Sequence, residues 1–190
     1  MKKISPLYVM LTTLLLPTIA VAHTEVELAG GWWSGLAHPF VGADHVLAMV
    51  AVGLWAVQLG GRATWMVPGA FVIATMLGGA LALAGVNTPR VEQGIAVSVL
   101  VLGLVIAASL RLPVLVSAWL VGMFALFHGL AHGTEIPAAV NAVAYVTGVA
   151  LATALLHGGG IAVAMRLRQP RLLRWMGALL AASGTVMVIT

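Results

Sequence analysis

The chain has no cysteine and very little charge. Without cysteine there are no disulfides, no thiolate metal ligands and no Cys-x-x-Cys redox motif. Lys and Arg number 9 and Asp and Glu 5, so charged residues make up 7% of 190, against roughly 25% in an average soluble domain. So few charges do not cover the surface of a water-soluble fold of this length, which excludes an ordinary soluble enzyme and a disordered chain. The net charge of +4 rests on only nine basic residues, and they are placed as a membrane protein places them, so nucleic acid is excluded as a partner. No nucleotide-binding motif occurs, so this chain does not hydrolyse ATP. What is abundant is apolar: 62% of the residues are hydrophobic, before the 22 Gly are counted. The composition is that of an integral membrane protein, with the lipid bilayer as its first partner.

Residues 1–22 read as a cleaved signal peptide. Lys2 and Lys3 give a positive start, an apolar stretch runs from Leu7 to Ile19, and Ala20-Val21-Ala22 offers the small residues a signal peptidase needs. Cleavage leaves residues 23–190 as one transmembrane domain. His23 then becomes the N-terminal residue, whose α-amine and imidazole together can chelate a metal; a wet terminal residue is the plainer account.

A membrane-spanning helix needs about 20 mostly apolar residues. Six such runs follow the leader: Trp33–Leu59, Trp65–Val86, Gln93–Leu110, Pro113–His132, Ala138–Met165 and Leu172–Ile189. Short breaks rich in Gly, Pro and Arg separate them. The sequence thus predicts an all-α integral membrane protein, a compact bundle of six transmembrane helices after the leader. A leader places the mature N-terminus outside. Arg62, Arg111, Arg166, Arg168, Arg171 and Arg174 then fall inside and only Arg90 outside, as the positive-inside rule requires. Both mature ends are expected in the periplasm of a Gram-negative cell. Trp32, Trp33, Trp65 and Trp175 sit at span ends as an aromatic belt. Small-residue pairs such as Gly31/Gly35 and Gly129/Gly133 are read as helix packing.

An ionisable residue inside a span is expensive and marks a functional site by default. The first group is His38-Pro39-Phe40-Val41-Gly42-Ala43-Asp44-His45. His38 and His45 are seven apart, close to two helical turns, and are expected on one face of span one. The second is His128-Gly129-Leu130-Ala131-His132-Gly133-Thr134-Glu135. His128 and His132 stack at i, i+4, the spacing by which one helix offers two imidazoles to one ion, and Glu135 reaches the same face if the helix persists. Span one runs inward and span four outward, so both groups lie in the outer half. The expectation is one cavity holding His38, Asp44, His45, His128, His132 and Glu135. Asp44 and His45 alternatively form a pair in which the carboxylate orients the imidazole. His157, before Gly158-Gly159-Gly160, is a candidate relay toward the cytoplasm, with a plain packing histidine as the alternative. Glu92 with Arg90 reads as a solvated loop.

Imidazole plus carboxylate without thiolate suits Ni(II), Co(II) or Zn(II) and argues against Mg, Ca and Cu(I). At these residues the sequence resembles the HupE/UreJ family of small bacterial membrane proteins. The resemblance lies in His38-Pro39-x-x-Gly42-x-Asp44-His45 and Phe127-His128-Gly129-x-Ala131-His132-Gly133-x-Glu135, and covers nearly the whole mature chain. It implies a secondary permease importing nickel and/or cobalt across the bacterial inner membrane, tied to hydrogenase or urease maturation, with no cofactor and no enzymatic activity. It also implies transport roles for His38, Asp44, His45, His128, His132 and Glu135, with His23 matching a histidine often found after the leader. A homo-oligomer is compatible with this reading. The competing readings are an intramembrane, ceramidase-like zinc hydrolase using the same ligands, and a haem protein with axial histidines.

Overall fold

The computed structural model describes residues 31–167 and 169–190. The leader 1–22, His23 and Arg168 lie outside the described residues. All regular structure in the described residues is helical. In chain order it comprises α1 (Gly31–Ala37), a 3-10 turn (His38–Phe40), α2 (Ala43–Leu59), α3 (Ala63–Leu83), α4 (Val91–Ala107), α5 (Val114–Thr134), α6 (Ala142–Leu167) and α7 (Pro170–Ile189).

The helix ends follow local chemistry. Pro113 caps α5 and Pro170 opens α7, positions where the missing N–H costs nothing. The tight connection from α2 to α3 passes through Gly60 and Gly61 at φ 76° and 54°, a left-handed stretch that side chains resist. α3, α5, α6 and α7 are long and apolar enough to cross a membrane, and the bent pair α1–α2 makes a fifth candidate. α4 is equally apolar but has 17 residues, or about 25 Å, against a hydrocarbon core of about 30 Å.

The first predicted span is not one helix. Between α1 and α2 the axis turns by 79°. Pro39 lies in the 3-10 turn and Gly42 takes an extended conformation at ψ 117°, so the helical hydrogen-bond ladder cannot run through. His38 and His45 therefore do not share a helix face; they stand on either side of a break.

Glycines set how the helices meet. Gly78 of α3 lies on Gly129 of α5, and Ala82 on Gly133. Both positions advance together, so these helices are parallel. Gly35 and Gly53 on α1 and α2 meet Tyr145–Gly148 and Gly160 of α6, again in parallel. Leu100, Gly103 and Ala107 of α4 meet Gly184, Ala181 and Gly177 of α7 in reverse order, so that pair is antiparallel. Small residues let backbones approach where lipid supplies no hydrophobic drive.

The distribution of polarity is inverted relative to a soluble protein. Trp33, Trp65, Trp119 and Trp175 and many Leu, Ile and Val side chains face outward. The polar side chains His45, His128, His132, His157, Ser98, Ser117, Thr75 and Thr153 are buried beside an apolar core that includes Trp55, Phe71, Val99 and Leu102.

Candidate metal site

Two short segments with the same sequence deliver the outermost imidazoles. Gly35-Leu36-Ala37-His38 ends α1, and Gly129-Leu130-Ala131-His132 lies near the end of α5. In each, the glycine presses on a backbone carbonyl, of Tyr145 or Thr75, and a second glycine three residues further on, Gly148 or Gly78, presses back. A Cβ at any of these positions would collide with backbone. Each contact fixes its helix end and so aims the histidine three residues later. The two imidazoles meet with ring centroids 5.1 Å apart.

Glu135 caps the C-terminus of α5 and completes the outer group. Its Oε2 lies 2.8 Å from His38 Nε2. One ligand atom each from His38, His132 and Glu135 lie within 4.8 Å of one another. An ion with bonds of about 2.1 Å spans ligand atoms up to roughly 4.2 Å apart, so sub-ångström side-chain movement closes this triad on a cation. His38 and Glu135 are partly exposed and His132 is buried, which gives the triad an open and a closed side.

Three further imidazoles continue inward. His45 lies 4.6 Å from His132 and 5.0 Å from His128, between ring centroids. Beyond His128 come Phe71, at 5.2 Å, and then His157, 5.0 Å from Phe71. The structure thus brings together His38, Asp44, His45, His128, His132 and Glu135. It sets His157 apart, behind an aromatic ring.

The neighbours of these rings decide which nitrogen is free. Asp44 Oδ1 accepts from the His45 backbone N–H at 2.8 Å and from Nδ1–H at 2.9 Å, leaving the lone pair on His45 Nε2. Gly42 makes room for this pair, since a Cβ there would sit 2.8 Å from both Asp44 Oδ1 and His45 Nδ1. The Ser98 hydroxyl donates to the Ile95 carbonyl at 2.6 Å. Its single proton is then committed, so the 3.1 Å contact with His128 has Nε2–H donating and leaves Nδ1 free. His45 Nε2, His128 Nδ1 and both His132 nitrogens are buried without a partner among the described residues. Each such nitrogen costs about 1–3 kcal/mol if nothing ever satisfies it, and a carboxylate or hydroxyl behind the ring is how metal-binding histidines are oriented.

Two participants escaped the sequence reading. Ser98 gave no signal, because a serine in an apolar run reads as packing. Glu92, taken as half of a solvated loop pair, lies within electrostatic reach of Asp44, Glu135 and His45, and among the described residues no ion pair joins it to Arg90. Its place in the first turn of α4 puts a third carboxylate at the outer end of the site.

A helical molecule with apolar side chains facing outward and imidazoles and carboxylates gathered together fits a multi-pass membrane protein with a candidate metal site. The sequence profile described as HupE / UreJ protein matches residues 11–187. The chain is 49% identical to Protein HupE of Rhizobium leguminosarum bv. viciae over 162 residues, covering 85% of this chain and 84% of that protein. The chain belongs to the HupE/UreJ family, a family of permease-type transporters rather than enzymes. No solved structure matches it. Membership supports a role in nickel or cobalt transport and does not favour a hydrolase.

Proposed function

We propose that this protein imports Ni(II) and/or Co(II) across the bacterial inner membrane as a secondary permease, with no resident cofactor. The observation that carries the reading is the meeting of four imidazoles with Asp44 and Glu135 at one place in an apolar bundle. The cation is caught by His38, His132 and Glu135 at the partly exposed end and drawn inward by His45 and His128. If the leader is removed, His23 becomes the N-terminal residue, and its amine and imidazole together form a chelating pair.

Six alternating spans, with both mature ends in the periplasm, fit the helix directions. Spans two and four should be parallel, as α3 and α5 are; spans three and six should be antiparallel, as α4 and α7 are. No ATP is needed, because two charges moving inward across 100 mV gain about 4.6 kcal/mol, twice the single-charge value. Coupling to hydrogenase or urease maturation follows from the metal those enzymes require.

The test is uptake of radioactive nickel and cobalt by cells expressing the protein, with His132→Ala and Glu135→Gln as variants. Both variants are expected to reach the membrane at the normal level and to lose uptake. Wild-type flux of both metals in His132→Ala cells refutes the site. Cleavage of lipid amides by purified protein, with no metal flux in vesicles, refutes the transport reading and restores the hydrolase.

A further inference from the structure

We propose that His157 forms a second, inner station for the same divalent cation, beyond Phe71 and separate from the outer group. The proposal rests on the reading of the outer group as the entrance.

His157 is 2% exposed and sits on α6. Its backbone carbonyl meets Gly53 of α2, eight residues past His45, or about 12 Å further along that helix. The ring meets Phe71 edge-on with centroids 5.0 Å apart, and Phe71 in turn lies 5.2 Å from His128. One fully buried aromatic ring thus separates the innermost imidazole of the outer group from His157.

Chemistry fixes the state of the His157 ring. Nδ1 lies 2.6 Å from the carbonyl oxygen of Thr153. A carbonyl only accepts, so Nδ1–H donates and the lone pair is on Nε2. That nitrogen is buried and has no partner among the described residues. A packing histidine would be expected to satisfy both nitrogens, because an unpaired polar atom in an apolar interior is costly. A carbonyl behind one nitrogen and a bare lone pair on the other is the arrangement of a metal-ligating histidine.

The residue behind it points the same way. Thr153, one turn before His157 on α6, also keeps a buried hydroxyl oxygen unpartnered among the described residues. Imidazole nitrogen with a hydroxyl oxygen is a neutral ligand set suited to a borderline transition-metal cation. The acids of the described residues, Asp44, Glu92 and Glu135, all belong to the outer group. The inner station therefore holds the ion with less charge than the entrance does. Conduction requires that gradation, since an ion bound as tightly at the second site would not leave it.

The test uses full-length protein in lipid nanodiscs for Ni(II) equilibrium dialysis, and whole cells for uptake. The variants are His157→Ala and His157→Asn, the second keeping an amide N–H for the Thr153 carbonyl. Wild-type protein is expected to bind Ni(II) in a tight and a weaker class. Both variants should keep the tight class and lose the weaker, with maximal uptake at least tenfold lower and KM within twofold. His132→Ala should lose the tight class instead. Should His157→Ala fail to reach the membrane, His157→Asn decides. A His157 variant that inserts normally with both classes and wild-type maximal uptake overturns the inner station alone. Wild-type protein that neither binds nor carries nickel overturns the transport reading and the station with it.

Discussion

Replacing Ser98 with Ala removes one oxygen and should weaken transport far more than so small a change suggests. Ser98 is fully buried, and its hydroxyl proton is spent on Ile95. It serves His128 only as an acceptor, holding the proton on Nε2 so that Nδ1 is free. Without that acceptor, Nε2–H is stranded at a cost of about 1–3 kcal/mol. The ring escapes by moving its proton to Nδ1 or by turning, and either change withdraws the lone pair from the ion. At about 1.4 kcal/mol per factor of ten, KM for nickel should rise roughly 10- to 100-fold, the range typical of partners that orient metal ligands. The helical fold and membrane insertion should persist, because alanine is a better helix former than serine. Ser98→Thr keeps the hydroxyl and should restore most of the affinity. The assay is the concentration dependence of radioactive nickel uptake at matched membrane levels. An unchanged KM in Ser98→Ala refutes the tautomer argument, and so does a Ser98→Thr variant no better than Ser98→Ala.

Gly129→Ala drives a Cβ into the Thr75 carbonyl and should lower stability by about 1–3 kcal/mol. Gly158→Ala meets nothing and should be neutral or stabilising by up to about 1 kcal/mol; thermal unfolding in detergent separates the two, and equal effects would contradict the packing described. Protons and metal compete for the same imidazole nitrogens, so uptake at low metal concentration should fall as external pH falls and recover when metal is raised. Initial rates measured across pH at two nickel concentrations check this, and uptake that climbs on acidification at both would contradict it.

Much of this was legible from residue spacing. Charge depletion and apolar runs located the helices, and their ends agree closely for α3 through α7, because Pro and Gly punctuate a membrane chain as they do a soluble one. The His and carboxylate groups were legible because nothing else in so apolar a sequence explains them. The break at Pro39–Gly42 was not foreseen. Pro39 reads as an early helical residue, and only the extended Gly42 turns it into a corner. His38 and His45 still converge, each on His132, but across a corner rather than by helical spacing. The duplicated Gly-Leu-Ala-His segment was visible in the letters, yet its meaning lies in the backbone each glycine touches, which no local pattern states. Ser98 and Glu92 were invisible as site residues for the same reason: they join the site from α4, a helix with no ligand of its own to draw attention.

The 79° corner between α1 and α2 acts as a rigid bracket, because α1 is locked on α6 through Gly35 and Gly148 and cannot swing without breaking backbone contact. His38 belongs to the short arm and His45 to the long one, while His128, His132 and Glu135 ride on α5 and its C-terminal cap. The short arm sets His38 against His132 and Glu135, and the long arm brings up His45, braced by Asp44, from the other side of the bend. One chain segment thus approaches the same α5 imidazole from two directions, which a straight helix does not do.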